Sequence, residues 1–432
     1  MTTFTWTDAM VRQALGLRVD LAQDDLTYTG VSTDSRQVQE GQLYVALVGE
    51  RFDGHDFVAD AVSRGALGAV MSRPPSSGSG PDAHIYPVDD TLVALGALAA
   101  HRRQGLSAPV VAITGSSGKT STKDLAAAAI GAAKRVHATR GNLNNRIGMP
   151  LTLLSVPDDA EAVVLEMGSN EPGEIRILAQ VARPDIGVVT TVGESHLEKL
   201  GSLEGVLDEK LDLLRNLAAN GRCVVGDEPP ALAARAREIC GSLRVAGWSE
   251  RADEDLRPQD AEVDVFGSYE LSWRGERLAL PMIGRHAVSN AMLALAVADL
   301  LGVSAADAAR GIATAQSSPL RGEVRRIGGL TVIVDCYNAN PQSVRAALDV
   351  LEGQGAAARR VAVLGTMLEL GTISERLHRE VLASALEREI DVVVATGGFA
   401  AVADVLGGRS ERLVTAADWK EAYPLLRERL VG

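Results

Sequence analysis

The chain has 432 residues, 46% of them hydrophobic and 23% charged, and a formal net charge of −13. That length exceeds one ordinary hydrophobic core, so two or three domains are expected. The acidic balance argues against a nucleic-acid partner, which needs a surplus of Lys and Arg, and no apolar run reaches the roughly 18 residues that would span a bilayer.

Residues 1–6 lack a basic and apolar targeting pattern, so a cytoplasmic protein is expected, and a monomer. The first segment, 1–83, ends in Arg73-Pro-Pro-Ser-Ser-Gly-Ser-Gly-Pro-Asp82, which cannot continue a helix or a central strand and reads as a linker. In the second segment, 84–316, strand-like runs at 110–113, 162–165 and 186–192 alternate with helical runs at 120–133, 172–182 and 202–217. That alternation argues for a parallel sheet covered by helices. The acidic stretch 250–264 reads as a solvated loop, and 265–273 with 277–282 reads as a hairpin around Arg274-Gly275. The third segment, 317–432, alternates again through 330–334, 341–351, 361–364, 373–387 and 391–395. His378 and Arg379 are expected on a helix surface and are assigned no role. The three cysteines, Cys223, Cys240 and Cys336, have no metal-type spacing and are expected as buried free thiols.

Polar residues follow the apolar strands: Thr114, Glu166, Asp335 and Gly365. Ligands of open parallel sheets bind at the carboxyl ends of the strands. Two such edges facing one another would enclose a reaction between two substrates.

Thr114-Gly-Ser-Ser-Gly-Lys-Thr120 lies between an apolar strand and a helical run, the context a phosphate cradle needs. Gly115 and Gly118 let backbone N–H groups approach phosphate oxygens. Lys119 can neutralise the β and γ phosphates, and the Thr120 hydroxyl can ligate Mg²⁺. Ser116, Ser117 and Ser121 complete the cradle. The loop is shorter than the standard form, with Ile113 where the first glycine would stand. A plain turn with a surface lysine is the bland alternative, and the Gly-Lys-Thr run argues against it.

Lys210 falls within the apolar stripe of the helix at 202–217, marked by Leu203, Val206, Leu207, Leu214 and Leu217. Burial would lower its pKa, and a neutral amine can take up CO₂ as an anionic carbamate. The residues alone favour a lysine whose ammonium reaches solvent along its own stem.

The short phosphate loop resembles that of the Mur ligase and folylpolyglutamate synthetase superfamily. Gly141-Asn-Leu-Asn-Asn-Arg-Ile-Gly-Met-Pro150 is similar to the family's segment after the second strand. Glu166-Met-Gly-Ser-Asn-Glu-Pro-Gly-Glu-Ile175, Ser195-His-Leu-Glu-Lys-Leu-Gly201, Asp335-Cys-Tyr-Asn-Ala-Asn-Pro341 and Leu364-Gly-Thr-Met-Leu-Glu-Leu-Gly371 resemble its D-alanyl-D-alanine-adding branch. Ser32-Thr-Asp-Ser-Arg36 and Gly49-Glu-Arg-Phe-Asp-Gly-His55 resemble its UDP-binding domain.

The resemblance implies a three-domain α/β architecture: a UDP-substrate domain at 1–83, a parallel-sheet ATPase domain at 84–316, and a Rossmann-like domain at 317–432 that closes over ATP. It implies ATP and two Mg²⁺ ions, one at Thr120 and one at Glu166 and His196, with Lys210 carbamylated. Catalytic roles fall to Lys119, His196 and Lys210. Asn290, within Gly284-Arg-His-Ala-Val-Ser-Asn-Ala291, matches the adenine contact, and Arg321 and Asp335 reach the nucleotide. Ser32, Asp34, Ser35, Arg36, Asn142 and Asn145 would hold the UDP-linked substrate. Asn338, Asn340 and the Leu368-Glu-Leu-Gly371 turn would face the incoming dipeptide. Thr366 stands where the family usually has Asp.

The activity so implied joins D-alanyl-D-alanine to a UDP-muramoyl tripeptide through an acyl phosphate. The alternatives are another amide ligase of the superfamily and a non-catalytic Mur-like nucleotide-binding partner. The Asp-Asn-Pro-Arg-like motif usual in the diaminopimelate- or lysine-adding enzymes does not occur. The presence of Lys119, Thr120, Glu166, His196 and Lys210 together argues against the non-catalytic partner.

Overall fold

The computed structural model describes residues 4–19, 26–74, 83–355, 359–407 and 411–430. The linker expected at 73–82 lies largely outside them. Strands β1 (Trp6–Thr7) and β2 (Thr27–Tyr28) pair antiparallel beside helix α1 (Asp8–Ala14). Strands β3 (Val31–Ser32), β4 (Leu43–Val45), β5 (Gly68–Met71) and β6 (His84–Pro87) form a parallel sheet in that order, with α2 (Val58–Ser63) between β4 and β5. Helix α3 (Thr91–Gln104) packs on α1 and on helices of the next unit, so it bridges the first two segments.

The central unit runs β7 (Val110–Thr114), α4 (Lys119–Gly131), β8 (Val136–Ala138), α5 (Gly148–Leu154), β9 (Ala162–Glu166), α6 (Glu174–Ala182) and β10 (Ile186–Val189). It continues through α7 (Leu197–Leu200), α8 (Leu203–Arg215), β11 (Arg222–Gly226), α9 (Pro230–Ile239) and β12 (Leu243–Ala246). Its strands form one six-stranded sheet in the order β12-β11-β10-β7-β9-β8, parallel throughout. Every residue of β7, β9 and β10 is buried, as expected where helices cover both faces. Side chains alternate between those faces. Val110, Ala112, Val163 and Leu165 pack with α3, α5, α6 and α8. Val111, Ile113, Val164 and Val188 pack with α4 and with α10 (Arg285–Leu300). The strand order turns back around β7, and in open parallel sheets ligands bind at the carboxyl end of the strands at such a point.

The expected hairpin forms from β13 (Gln259–Val263), β14 (Ser268–Trp273) and β15 (Glu276–Ile283), with Trp273 paired to Glu276 across the Arg274-Gly275 turn. The acidic stretch is therefore not all loop. Its end becomes β13, an edge strand whose residues are mostly exposed, and an edge accommodates carboxylates facing solvent. Helix α11 (Ala305–Ala313) leads to the third segment.

There β16 (Glu323–Ile327) and β17 (Leu330–Val334) form an antiparallel hairpin, followed by α12 (Pro341–Glu352). Strands β18 (Val361–Leu364), β19 (Val392–Thr396) and β20 (Leu413–Ala416) form a parallel sheet, with α13 (Ser374–Glu387), α14 (Gly398–Gly407) and α15 (Trp419–Leu430). Among the described residues no helix is long and apolar enough to cross a membrane.

Two further expectations fail. Cys223 and Cys240 are not free thiols but a disulfide, with Cα atoms 6.4 Å apart. Helix α9 carries the chain back to the start of β12, the neighbour of β11, so Cys240 arrives beside Cys223. Cys336 is free but exposed. His378 is not on the surface; it is buried. Its Nε2 accepts the Met367 N–H at 3.0 Å, its Nδ1 lies 2.8 Å from the Ser374 carbonyl, and its ring meets Phe399 edge-on. The fold seals it between α13, the loop after β18 and the start of α14.

Candidate active site at the rim of the central sheet

The phosphate loop leaves β7 and enters α4 in a conformation that glycine alone suits at two points. Gly115 has φ 147°, and a Cβ there would lie 2.0 Å from Thr190 Oγ1. Gly118 has φ 81°, and a Cβ would lie 2.4 Å from Asn290 Oδ1. Thr190, at the end of β10, donates to the Ser117 carbonyl at 2.5 Å. The Ser116 N–H donates to the Thr191 carbonyl at 2.8 Å, and its hydroxyl meets Gly193 and Ser195. Ser116 thus fastens the loop to the chain after β10.

Lys119 begins α4 and folds back to donate to the Gly115 carbonyl at 2.7 Å. Burial holds its ammonium below the ordinary lysine range; Glu166 opposes that shift and Arg321 adds to it. Thr120 is buried beside it and Ser121 is half-buried. Asn290, on α10, is also buried, and its Oδ1 accepts from the Thr122 hydroxyl at 3.2 Å. The amide therefore sits under the loop at Gly118.

Glu166 ends β9 and is 1% exposed. Its Oε1 accepts from the Asn144 amide at 2.8 Å, while Oε2 is buried without a hydrogen-bond partner. A buried carboxylate oxygen left so is costly unless a charge meets it, so its chemistry suits a cation. Among the described residues no three His, Cys, Asp or Glu side chains gather to hold a metal. Mg²⁺ commonly takes one or two carboxylates and completes its shell with water and substrate phosphates. The donor set is compatible with that pattern.

Lys210 is 1% exposed, and its Nζ donates to the Ser169 hydroxyl at 2.7 Å. It does not reach solvent along its stem. Burial, aided by the charge of Lys119, pushes its pKa down to about 7. Its neighbour Glu209 is buried too and accepts the backbone N–H groups of Gly173 at 2.6 Å and Ile175 at 2.8 Å. Helix α8 thereby grips the segment that carries Ser169. His196 precedes α7 in a left-handed conformation, φ 53°. Burial lowers its pKa, and the Glu369 carboxylate, which pairs with its Nδ1, opposes that.

The third segment lies against this rim. Asn340 caps α12, and its Nδ2 donates to the Ser117 hydroxyl at 3.0 Å. Gln342 donates to Thr191 Oγ1 at 3.0 Å. The Leu368–Gly371 turn docks on the start of α7, where the Glu198 N–H donates to the Glu369 carbonyl at 3.1 Å. Thr366 accepts the Gly398 N–H at 2.9 Å. Arg321 lies 4.2 Å over the Tyr337 ring. Asp335, after β17, is raised above the usual carboxylate range by burial, against His286 and Arg321. Asn338 is exposed and accepts the Ala339 N–H.

In the first segment Asp34 accepts from the backbone and guanidinium of Arg36, whose bonds hold its carboxyl down to about 2. Ser32 bonds both to the Asp34 N–H and to its carbonyl, and Ser35 is buried. Helix α5 packs on β3. Asn145 accepts the Ile147 and Gly148 N–H groups before α5, and Asn142 is exposed in the same loop. That packing brings the 32–36 turn and the 142–145 loop to one side of the molecule.

Sequence reasoning missed Asn144, Ser169, Glu209 and Glu369. Asn144, Ser169 and Glu369 lie inside quoted motifs, but no periodicity distinguishes them from their neighbours.

The sequence matches three family models: "Mur ligase family, catalytic domain" over 27–103, "Mur ligase middle domain" over 113–298, and "Mur ligase, glutamate ligase domain" over 320–431. It is 38% identical over 372 residues to the UDP-N-acetylmuramoyl-tripeptide–D-alanyl-D-alanine ligase of Bacillus subtilis, covering 85% of this chain and 80% of that one. It is 36% identical over 387 residues to the Escherichia coli ligase of the same name, covering 88% and 84%. A crystal structure of MurF from Acinetobacter baumannii superposes with TM-score 0.89 at 31% identity, covering 100% of this chain and 93% of that one. MurF ligase from Thermotoga maritima in complex with ADP gives TM-score 0.80 at 27% identity, covering 93% and 91%.

Proposed function

The chain belongs to the Mur ligase family, and on that premise we propose that it joins D-alanyl-D-alanine to UDP-N-acetylmuramoyl-tripeptide at the expense of ATP. The observation that carries this reading is the convergence of Lys119, Glu166 and Lys210 at one sheet rim, with Asn340 of the third segment bonded to the phosphate loop. Relatives bearing that activity in their names, matched over 80% and 84% of their lengths, support it.

The tripeptide's terminal carboxylate takes the γ-phosphoryl group of ATP to give an acyl phosphate and ADP. The amine of the dipeptide attacks the acyl carbon, phosphate leaves, and an amide remains. Carboxylate and triphosphate are both anions, so Lys119 and the amino end of α4 bring positive charge to their meeting point. Thr120, Glu166 and His196 would hold Mg²⁺, which supplies further neutralisation of the phosphates when bound. Lys210 as a neutral amine adds to CO₂ and releases a proton, giving a carbamate anion that extends the acidic side of the site. Asn290, Arg321 and Asp335 face the nucleotide. Asn338, Asn340 and the Leu368–Gly371 turn face the dipeptide, and the 32–36 turn with Asn142 and Asn145 takes the UDP moiety. Closure of the third segment keeps water from the acyl phosphate. We retain the divisions at 83/84 and 316/317, a monomeric state and a cytoplasmic location as parts of the same proposal.

The test is phosphate release with UDP-tripeptide, ATP and a panel of amino-acid and dipeptide acceptors. Release and peptide product with D-alanyl-D-alanine, and not with single amino acids, is the expected result. Product with glutamate or a diamino acid instead would move the protein to another ligase of the family. No product with any acceptor would favour a binding partner over an enzyme.

A further inference from the structure

We propose that Asn144 is a positioning residue for Glu166, holding one carboxylate oxygen so that the other stays open to the cation that arrives with the nucleotide. The inference rests on the reading of Glu166 given above. Two separate bonds tie Asn144 to the strand end. Its carbonyl accepts the Gly168 N–H at 2.8 Å, and its Nδ2 donates to Glu166 Oε1 at 2.8 Å. The first bond alone would stitch the 141–148 loop to β9. The second adds nothing to that stitch; it fixes the rotation of the carboxylate. The space is closed around it, since a Cβ on Gly168 would lie 3.2 Å from the Asn144 amide.

A competing partner makes the fixation matter. Glu166 Oε2 has no hydrogen-bond partner, and the Lys119 ammonium is close enough for Glu166 to offset part of its burial. Released from Asn144, the carboxylate can turn toward Lys119. That turn would take away the oxygen the cation needs. Asn144 also belongs to the loop that carries Asn142 and Asn145, so the residue links the proposed UDP-substrate loop directly to the carboxylate.

Equilibrium binding of Mn²⁺ in the presence of ADP, without turnover, reads this role. Partners that orient metal ligands commonly change affinity by about 10- to 100-fold, so Asn144→Ala should weaken Mn²⁺ at least about tenfold. ADP binding without metal should stay within about twofold, a split that a general loss of structure would not give. Gly168→Ala pushes the same amide by a few tenths of an ångström and should weaken Mn²⁺ by a smaller factor; it carries the test if Asn144→Ala does not fold. Glu166→Gln is the control. If Glu166→Gln loses Mn²⁺ while Asn144→Ala and Gly168→Ala bind it as the unmodified protein does, the positioning role is overturned and the carboxylate's role stands. If Glu166→Gln also binds Mn²⁺ normally, the reading of Glu166 fails and this inference fails with it.

Discussion

The phosphate loop and the Glu166–Lys210 cluster share one rim of the central sheet, but different kinds of contact hold them. Within the loop, Lys119 is held by the carbonyl of Gly115, four positions earlier, and the glycines supply the backbone shape. In the cluster, Glu166 is held by Asn144, 22 positions away; Lys210 by Ser169, 41 away; and the Ser169 segment by Glu209, 36 from Gly173. A site built from consecutive residues keeps its shape wherever its strand and helix form. A site built across elements keeps its shape only if helices α6 and α8 and the 141–148 loop pack correctly. Mutations should therefore act on chemistry in the first region and on both chemistry and folding in the second.

The largest effect tests the local side of that contrast. Lys119→Ala should lower ATP-dependent phosphate release by about 10²- to 10³-fold, the usual cost of losing a charge-stabilising donor, with the urea midpoint almost unmoved. A large drop in the midpoint would break the contrast. Glu209→Ala tests the other side. It leaves the Gly173 and Ile175 N–H groups unpaired and should lower unfolding free energy by about 1–3 kcal/mol, seen by urea denaturation; an unchanged midpoint would show that α8 does not anchor the Ser169 segment.

Lys210 sharpens the comparison through pH. With a native pKa near 7 against 10.5 for the free side chain, the unfolded chain binds more protons between those values. Stability from this group therefore rises with pH across that window, and Lys210→Met should flatten the slope. The neutral amine increases about tenfold from pH 6 to pH 8, so ¹³C-bicarbonate labelling of the folded protein should grow by a similar factor. Equal labelling at both pH values would contradict the buried neutral amine. The smallest effect is expected at the seam between the two regions. Asn340→Ala removes a helix cap worth about 1 kcal/mol and the bond to Ser117, so it should raise the KM for ATP modestly at unchanged kcat.

How much was legible follows the same division. The residues 114–120 declared the loop because phosphate binding needs a particular run of backbone shapes and one lysine, all adjacent. A helix at 202–217 and the placement of Lys210 within its apolar face followed from period alone; the structure forms it over Leu203–Arg215 and buries that lysine. His378 looked like any polar helix residue. Only the loop after β18 and the start of α14 explain its burial. The cysteine pair was misjudged for a related reason: a spacing of 17 residues says nothing until α9 turns back along β11.

The sequence by itself determined the alternation of strands and helices, the phosphate loop and the family to which the chain belongs. The first two depend on local backbone preference and on apolar periodicity, which neighbouring residues carry; the family was read from the resemblance of its motifs. Tertiary structure alone decided which polar atoms meet: Asn144 with Glu166, Ser169 with Lys210, Glu369 with His196, Cys223 with Cys240. Hydrogen bonds and disulfides act over a few ångströms, and only the packing of whole elements brings residues distant in the chain within that range.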